Sequence, residues 1–310
     1  MDGIITILKP PGMTSHDVVA YVRRLTKVKK CGHTGTLDPG AAGVLPVCLG
    51  RATKLASFVT AGDKTYRAEL TLGIATSTQD GFGEIVRQVD ASSVTLAQFL
   101  EVFYSMRGEI EQIPPMSSAI KVDGKKLYEL ERAGKTIDVP SRKVTIIDLK
   151  VINSWDWATP QPRVLFDVTC SKGTYVRTLC SDIGKALGCG AYMSFLLRSR
   201  VANFDLQQAI TLEQLTELVE KNQLTQALIP MVQAVAHLPA VEIYSTAVKS
   251  ISSGGTLYPS GIHRMAQQIT PEELVRIQYN NQLLGIFRAK QENQEATARM
   301  IFRPEVVFST

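Results

Sequence analysis

The chain is 310 residues long, 45% apolar and 20% charged, an ordinary balance for a soluble globular protein and enough for one large and one small domain. No run of about 18 apolar residues occurs, so no membrane-spanning helix is expected. The start, Met1-Asp2-Gly3-Ile4-Ile5, has no basic region or cleavable apolar core, which makes cytoplasm the expected compartment. A net charge of +5 leans toward a polyanionic partner.

Ile4 to Leu8 reads as a short strand ended by Lys9-Pro10-Pro11-Gly12. Thr14 or Ser15 can cap a helix running to about Leu25, with Val18, Val22 and Leu25 inward. Val44 to Leu49 is an apolar strand, and Lys54 to Val59 a short helical piece broken by Gly62. Tyr66 to Leu72 alternates cleanly, which places Tyr66, Ala68, Leu70 and Leu72 on one buried face. Thr95 to Met106 has helical spacing and a capping signal. Ile113 to Val139 is polar and basic, with prolines and glycines, and reads as an inserted arm. Val164 to Cys170 is a strand, Ser171-Lys172-Gly173 a turn, and Thr174 to Leu187 a helix with Val176, Leu179, Ile183 and Leu187 as its apolar stripe. Leu212 to Leu228 is expected to be a further amphipathic helix. A boundary falls near Ala236 to Ala240. Beyond it come short strands at Leu274–Tyr279, Leu283–Ala289 and Ala298–Phe302, with an Asn280-Asn281 hairpin turn between the first two.

The chemistry-bearing residues are unevenly distributed. The five cysteines, Cys31, Cys48, Cys170, Cys180 and Cys189, are scattered, and His16, His33, His237 and His263 form no pair at ligand spacing. Neither a disulfide framework nor a metal site is expected. Arg23, Arg24, Lys27, Lys29 and Lys30 form one basic group. Lys121, Lys125, Lys126, Arg132, Lys135, Arg142 and Lys143 form a second. Each could be a solvated face; two together, one abutting the next feature, favour nucleic acid.

That feature is Gly32-His33-Thr34-Gly35-Thr36-Leu37-Asp38-Pro39-Gly40. Its glycines permit backbone angles closed to other residues, and Pro39 biases Asp38 toward an extended conformation. A tight loop should therefore hold one carboxylate beside a histidine and several hydroxyls. Asp before Pro-Gly is also an ordinary turn signal, so the loop alone does not establish function.

Around that loop the chain closely resembles the TruB family of bacterial tRNA pseudouridine-55 synthases. The resemblance runs through Lys9-Pro10-Pro11-Gly12-Met13-Thr14-Ser15, Gly32 to Pro39, Gly43-Val44-Leu45-Pro46 and Gly50-Arg51-Ala52-Thr53-Lys54. It continues through Lys64-Thr65-Tyr66, Thr76 to Asp80, Gln112-Ile113-Pro114-Pro115, Ser118-Ala119 and Gly173-Thr174-Tyr175-Val176-Arg177, in sequence order to about Arg200.

The resemblance implies an α+β fold: a mixed, mostly antiparallel central sheet with flanking helices over residues 1–235, an RNA-gripping insert at about 113–140, and a small β-rich PUA-like domain over 236–310. It implies an isomerase that uses neither metal nor organic cofactor, acting on tRNA through the T-arm and, by way of the C-terminal domain, the acceptor stem. The protein is expected to be a monomer. Asp38 would serve at the glycosidic bond, either by attacking C1′ or by removing a sugar proton. Arg177 would hold and orient it bidentately, and Asp80 would share the same polar network. Tyr66 would stack on the flipped base, with a part in moving the C5 proton also open to it. Leu196 would lie beneath the base, and Tyr175 would contact substrate. His33 would enter the space the base vacates, and Lys9 would contact phosphate.

Two positions depart from the family's habits: Ser117 stands where an aromatic residue is usual, and Glu131 where alanine is. Both bear on the grip of the insert on RNA. The alternatives are a tRNA-binding or folding factor and a pseudouridine synthase directed at another RNA.

Overall fold

The computed structural model describes residues 1–308 except Ala119, Asp123, Thr136, Ala266 and residues 295–296, and the side chains of residues 121, 126, 128, 131, 132, 293, 294, 297 and 298 also lie outside the description. Three of the basic residues expected in the insert (Lys121, Lys126 and Arg132) and the Glu131 departure fall among these side chains.

The first half contains β1 (Gly3–Lys9), α1 (Ser15–Thr26), β2 (Cys31–His33), β3 (Ala42–Leu49), α2 (Ala56–Ala61), β4 (Lys64–Leu72), β5 (Ile74–Thr76), β6 (Ile85–Gln88), α3 (Leu96–Ser105) and β7 (Gly108–Gln112). The insert folds as the small hairpin β8 (Lys121–Val122) and β9 (Lys125–Lys126) followed by α4 (Leu127–Arg132). Then come β10 (Arg142–Trp155), β11 (Arg163–Cys170), α5 (Val176–Ala186), β12 (Ala191–Val201), β13 (Phe204–Asp205), α6 (Leu212–Glu220) and α7 (Met231–Ala234).

One nine-stranded sheet organises this part, in the order β1-β3-β12-β4-β11-β10-β7, with β2 on β3 and β13 on β12. All of its pairs are antiparallel except β3 with β12. β1 is buried almost throughout although it ends the ladder. The segment after β12 covers it, through bridges of Ile4 to Ile229 and Ile7 to Ile210. That arrangement leaves no open sheet edge there. α3 and α5 pack Phe99, Phe103, Leu179 and Ile183 against Leu70, Phe166 and Val168 of the sheet. α1 and α6 cover β1 and β3 through Val18, Val22 and Leu215. The Thr14 cap closes a reciprocal box with Asp17.

The helix expected over 212–228 stops at Lys221. Asn222 takes a left-handed conformation with φ 56°, and the chain resumes as a 3₁₀ turn at Leu224–Ala227. Asparagine tolerates that conformation, so it ends a helix that the apolar spacing alone would carry on.

The C-terminal part is a five-stranded sheet built from β14 (Ala240–Ile243), β15 (Ile262–Met265), β16 (Leu274–Tyr279), β17 (Gln282–Gln294) and β18 (Thr297–Val307), with α8 (Ser245–Ser252) beside it. Asn280 and Asn281, at φ 47° and 60°, make the expected hairpin turn. The two sheets share a cluster in which Leu283, Ile286 and Phe308 pack with Val44, Leu55, Phe204 and Val232. No helix among the described residues is long and apolar enough to cross a membrane.

Candidate active site

The loop before β3 is held by its carbonyls. Ala41 N–H donates to the Asp38 carbonyl at 3.0 Å, which closes a turn over Pro39-Gly40, and Gly12 N–H donates to the Pro39 carbonyl at 2.8 Å. The Ser15 hydroxyl accepts from Leu37 N–H at 2.9 Å. Arg198, on β12 and only 1% exposed, donates Nε to the Val44 carbonyl at 2.9 Å, Nη1 to Thr36 at 3.2 Å and Nη2 to Gly35 at 3.1 Å. A glycine is required at position 43. Its φ is +124°, and a Cβ there would lie 2.2 Å from the Arg198 carbonyl oxygen.

Lys9 belongs to this clamp, and its expected phosphate contact is not what the structure shows. Its side chain is fully buried at the end of β1. The ammonium donates to the carbonyls of Pro10 at 2.8 Å, Met13 at 2.7 Å and Pro39 at 3.2 Å. With three donors on three acceptors it has nothing left for phosphate. Burial, with the nearby Arg198 charge adding to it, brings its pKa down to about 8. Lys64 is spent similarly, on the carbonyls of Thr60 and Gly62 at the end of α2.

The clamped loop forms one wall of a cleft of about 600 Å³ that also presents Tyr66, Tyr175, Arg177, Ser117 and His16. A narrower recess beneath it is lined by Leu37, Tyr66, Val176 and Leu196. A larger depression of about 760 Å³ beside β7 holds none of the acidic or aromatic residues singled out in the sequence. Chemistry rather than volume therefore selects the site.

Arg177, the second residue of α5, is buried beneath Asp38, whose side chain is 41% exposed. Nε lies 3.4 Å from Asp38 Oδ2, and Nη1 lies 3.4 Å from Asp80 Oδ2. The guanidinium is thus divided between two carboxylates and does not form the bidentate pair with Asp38 that was expected. Asp80 is locked in its own turn: Oδ1 accepts from the Thr78 hydroxyl at 2.5 Å and from Phe82 N–H at 3.0 Å. Ser117, in the insert, accepts from Nη1 at 2.7 Å with its hydroxyl and from Nη2 at 3.4 Å with its carbonyl.

Tyr66 stands on β4 opposite Arg198 on β12. Burial pushes its hydroxyl up to about 12, the Arg198 charge opposing, so the phenol is protonated at neutral pH. His33 is partly buried; its Nδ1 accepts from Gly35 N–H at 3.3 Å, and its ring meets that of His16 edge-on at 5.1 Å. Burial, then the His16 and Arg198 charges, lowers its pKa to about 4, so the imidazole is neutral near pH 7. His16 is exposed on the cleft wall. Tyr175 caps α5 and exchanges two hydrogen bonds with the Gln112 amide.

The structure therefore brings Asp38, Tyr66, Tyr175, Arg177, Leu196 and Asp80 to one place, sets His33 beside it, and withdraws Lys9 from solvent. Sequence reasoning missed the parts played by His16, Arg198 and Ser117. An arginine inside the apolar run 191–201 was a signal for the second, and the departure at position 117 for the third. Chemically, the site offers a reachable carboxylate held by a buried cation, next to an aromatic face that carries a proton.

The family described as TruB family pseudouridylate synthase (N terminal domain) matches residues 23–176, and that described as tRNA pseudouridylate synthase B C-terminal domain matches residues 177–236. A tRNA pseudouridine synthase B of Pelotomaculum thermopropionicum is 48% identical over 309 residues, covering 100% of this chain and 98% of that protein. One from Clostridioides difficile is 42% identical over 301 residues, covering 96% and 98%. Among solved structures, a Cbf5-Nop10-Gar1 complex contains a chain 31% identical with a TM-score of 0.77, covering 99% of this chain and 84% of that one. An H/ACA RNP bound to a substrate RNA containing 2′-deoxyuridine matches at 29% identity and a TM-score of 0.77, covering 99% and 85%.

Proposed function

The chain belongs to the TruB family of pseudouridylate synthases, and on that basis we propose that it converts uridine to pseudouridine at position 55 in the T-loop of tRNA, with Asp38 as the catalytic carboxylate. The observation that carries this reading is the Asp38 carboxylate, open to the cleft and 3.4 Å from the Nε of buried Arg177, with Tyr66 on the facing strand.

Isomerisation breaks the N1–C1′ bond, turns the uracil, forms C5–C1′ and moves the C5 hydrogen to N1 in net, so no atom is gained or lost. Cleavage puts positive character on the sugar, which a carboxylate can stabilise or trap. Asp38 does this from a loop whose carbonyls are already clamped, so little reorganisation is needed as charge develops. The base is drawn out of the T-loop at a cost of a few kcal/mol and stacks on Tyr66 above Leu196. Tyr66 also helps to move the C5 hydrogen. His33, neutral and apolar-faced, fills the vacated space together with His16.

Phosphate contact passes from Lys9 to the exposed residues Arg23, Arg24, Lys27, Lys29 and Lys30 at the end of α1. Such contacts set affinity and its salt dependence, and the shape of the T-loop sets the choice of site. The five-stranded C-terminal sheet, packed on the first part of the chain through Leu283, Ile286 and Phe308, reaches toward the acceptor stem.

Incubation with an unmodified tRNA transcript, followed by mapping at nucleotide resolution, tests the reading. Pseudouridine at position 55 alone, and none with Asp38→Asn despite an unchanged fold, is the expected result. Modification elsewhere overturns the target, and activity in the Asp38→Asn protein overturns the mechanism.

A further inference from the structure

The limb by which the insert leaves β7 is fastened to the start of α5 at two points. At its root, the Gln112 amide donates to the Tyr175 carbonyl at 3.3 Å and accepts from Tyr175 N–H at 3.0 Å. Gln112 is 1% exposed, so this link is fully withdrawn from water. Five residues on, Ser117 places both its hydroxyl and its carbonyl on the Arg177 guanidinium.

The donors of Arg177 show what that second link does. Nη1 reaches the Ser117 hydroxyl at 2.7 Å but Asp80 only at 3.4 Å and the Thr78 carbonyl at 3.5 Å. Nε is buried and makes no hydrogen bond of good geometry, although Asp38 Oδ2 is 3.4 Å away. The Ser117 hydroxyl thus supplies the one short contact to the guanidinium, while the Ser117 and Thr78 carbonyls and both carboxylates stand at 3.4–3.5 Å. A guanidinium is a rigid plane, so a partner that fixes Nη1 and Nη2 also fixes the direction of Nε. We propose that Ser117 is a positioning residue for the reaction: it aims Arg177 at Asp38, and so makes the insert act on the chemical step as well as on RNA binding.

This rests on the functional reading above and deepens it. The residue that departs from the family's usual aromatic is the one whose hydroxyl touches the guanidinium. Its neighbour Ser118 has a buried hydroxyl on the cleft wall with no partner among the described residues, which leaves the limb a hydrogen bond to make when substrate enters. Insert position, Ser117, Arg177 and Asp38 form one connected series of contacts.

Ser117→Ala and Ser117→Thr test the link by single-turnover conversion of an unmodified tRNA transcript, with the dissociation constant measured separately by filter binding. Ser117→Ala is expected to lower the rate at saturating RNA about tenfold, or about 1.4 kcal/mol, with the dissociation constant changed less than twofold. Ser117→Thr, which keeps the hydroxyl, restores the rate. A Ser117→Ala protein that reaches the wild-type rate at saturation, or whose defect lies wholly in the dissociation constant, overturns the inference. A second readout needs no catalysis: the side-chain ¹⁵N–¹H signal of Arg177 Nε should exchange with solvent faster in Ser117→Ala, and unchanged exchange refutes the link. Were the wild-type protein to make no pseudouridine, the functional reading would fall while the exchange measurement still decided whether Ser117 holds Arg177.

Discussion

Two buried guanidiniums flank Asp38 and are used in opposite ways. Arg198 gives its nitrogens to three backbone carbonyls at 2.9–3.2 Å, and Lys9 beside it does the same with three more. Arg177 faces two carboxylates at 3.4 Å and keeps its Nε without a well-formed hydrogen bond. On the β3–β12 side, positive charge is spent mainly on fixing backbone carbonyls. On the α5 side, charge is held in reserve by a residue from the insert. Preorganisation needs both: a wall that does not move, and a cation held close to the carboxylate it serves.

Exchanging the roles of the two arginines is the strongest way to break that comparison. Arg177→Met should lower the single-turnover rate by about 10³-fold, the scale of losing one preorganised electrostatic contact, with a fall in stability limited by the water around Asp38 and by the two hydrogen bonds that still hold buried Asp80 at Oδ1. Arg198→Met should do the reverse. Its three carbonyls lose their donor in a buried place, and unfolding by urea should show a loss of about 3 kcal/mol. Its rate should fall only as far as the loop loosens. If Arg198→Met proved as stable as wild type, the clamp would not be what shapes the loop. If Arg177→Met kept its rate, the reserved cation would have no catalytic purpose.

The same contrast marks what could be read from the chain before the fold was seen. Tyr66 to Leu72 alternates because β4 itself carries no extra residue: it pairs with β11 in unbroken register, and the bulged residues against its other edge lie on β12. Asn280-Asn281 announces its turn because both residues tolerate a left-handed backbone. β12, at the centre of the sheet, was not legible. Its register slips between Met193 and Phe195 and again between Arg198 and Arg200, and each slip reverses the alternation by which a strand is recognised. β10 was hidden in the same way by slips near Ile146 and Val151. The position of Asp38 in a shaped loop was written locally, in glycines and a proline. The burial of Lys9 and Arg198 was not, because the carbonyls that receive Arg198 are contributed by residues more than 150 positions away. A cation beside Pro-Pro-Gly reads as exposed until the segment after β12 is seen to cover its strand.

A smaller effect separates the two sides by pH. His33 stands on the clamped side, and its Nδ1 accepts from Gly35 N–H, a bond that only the neutral ring can receive. Burial, reinforced by the His16 and Arg198 charges, puts its folded pKa at about 4, against roughly 6.5 in the unfolded chain. Between these values the unfolded chain takes up a proton that the folded protein refuses. Stability from this group is therefore complete above about pH 6.5 and is lost progressively as the pH falls toward 4. Urea unfolding of wild type and His33→Gln across that range isolates the contribution, since other titrating groups are common to both proteins. The wild type should lose about 2 kcal/mol more than the variant on going from pH 7 to pH 4. Equal losses would mean that His33 takes its proton in the folded state as readily as in the unfolded one. The clamped side would then tolerate a third positive charge beside Arg198 and Lys9, and the division between a closed, charge-saturated wall and an open one would not hold.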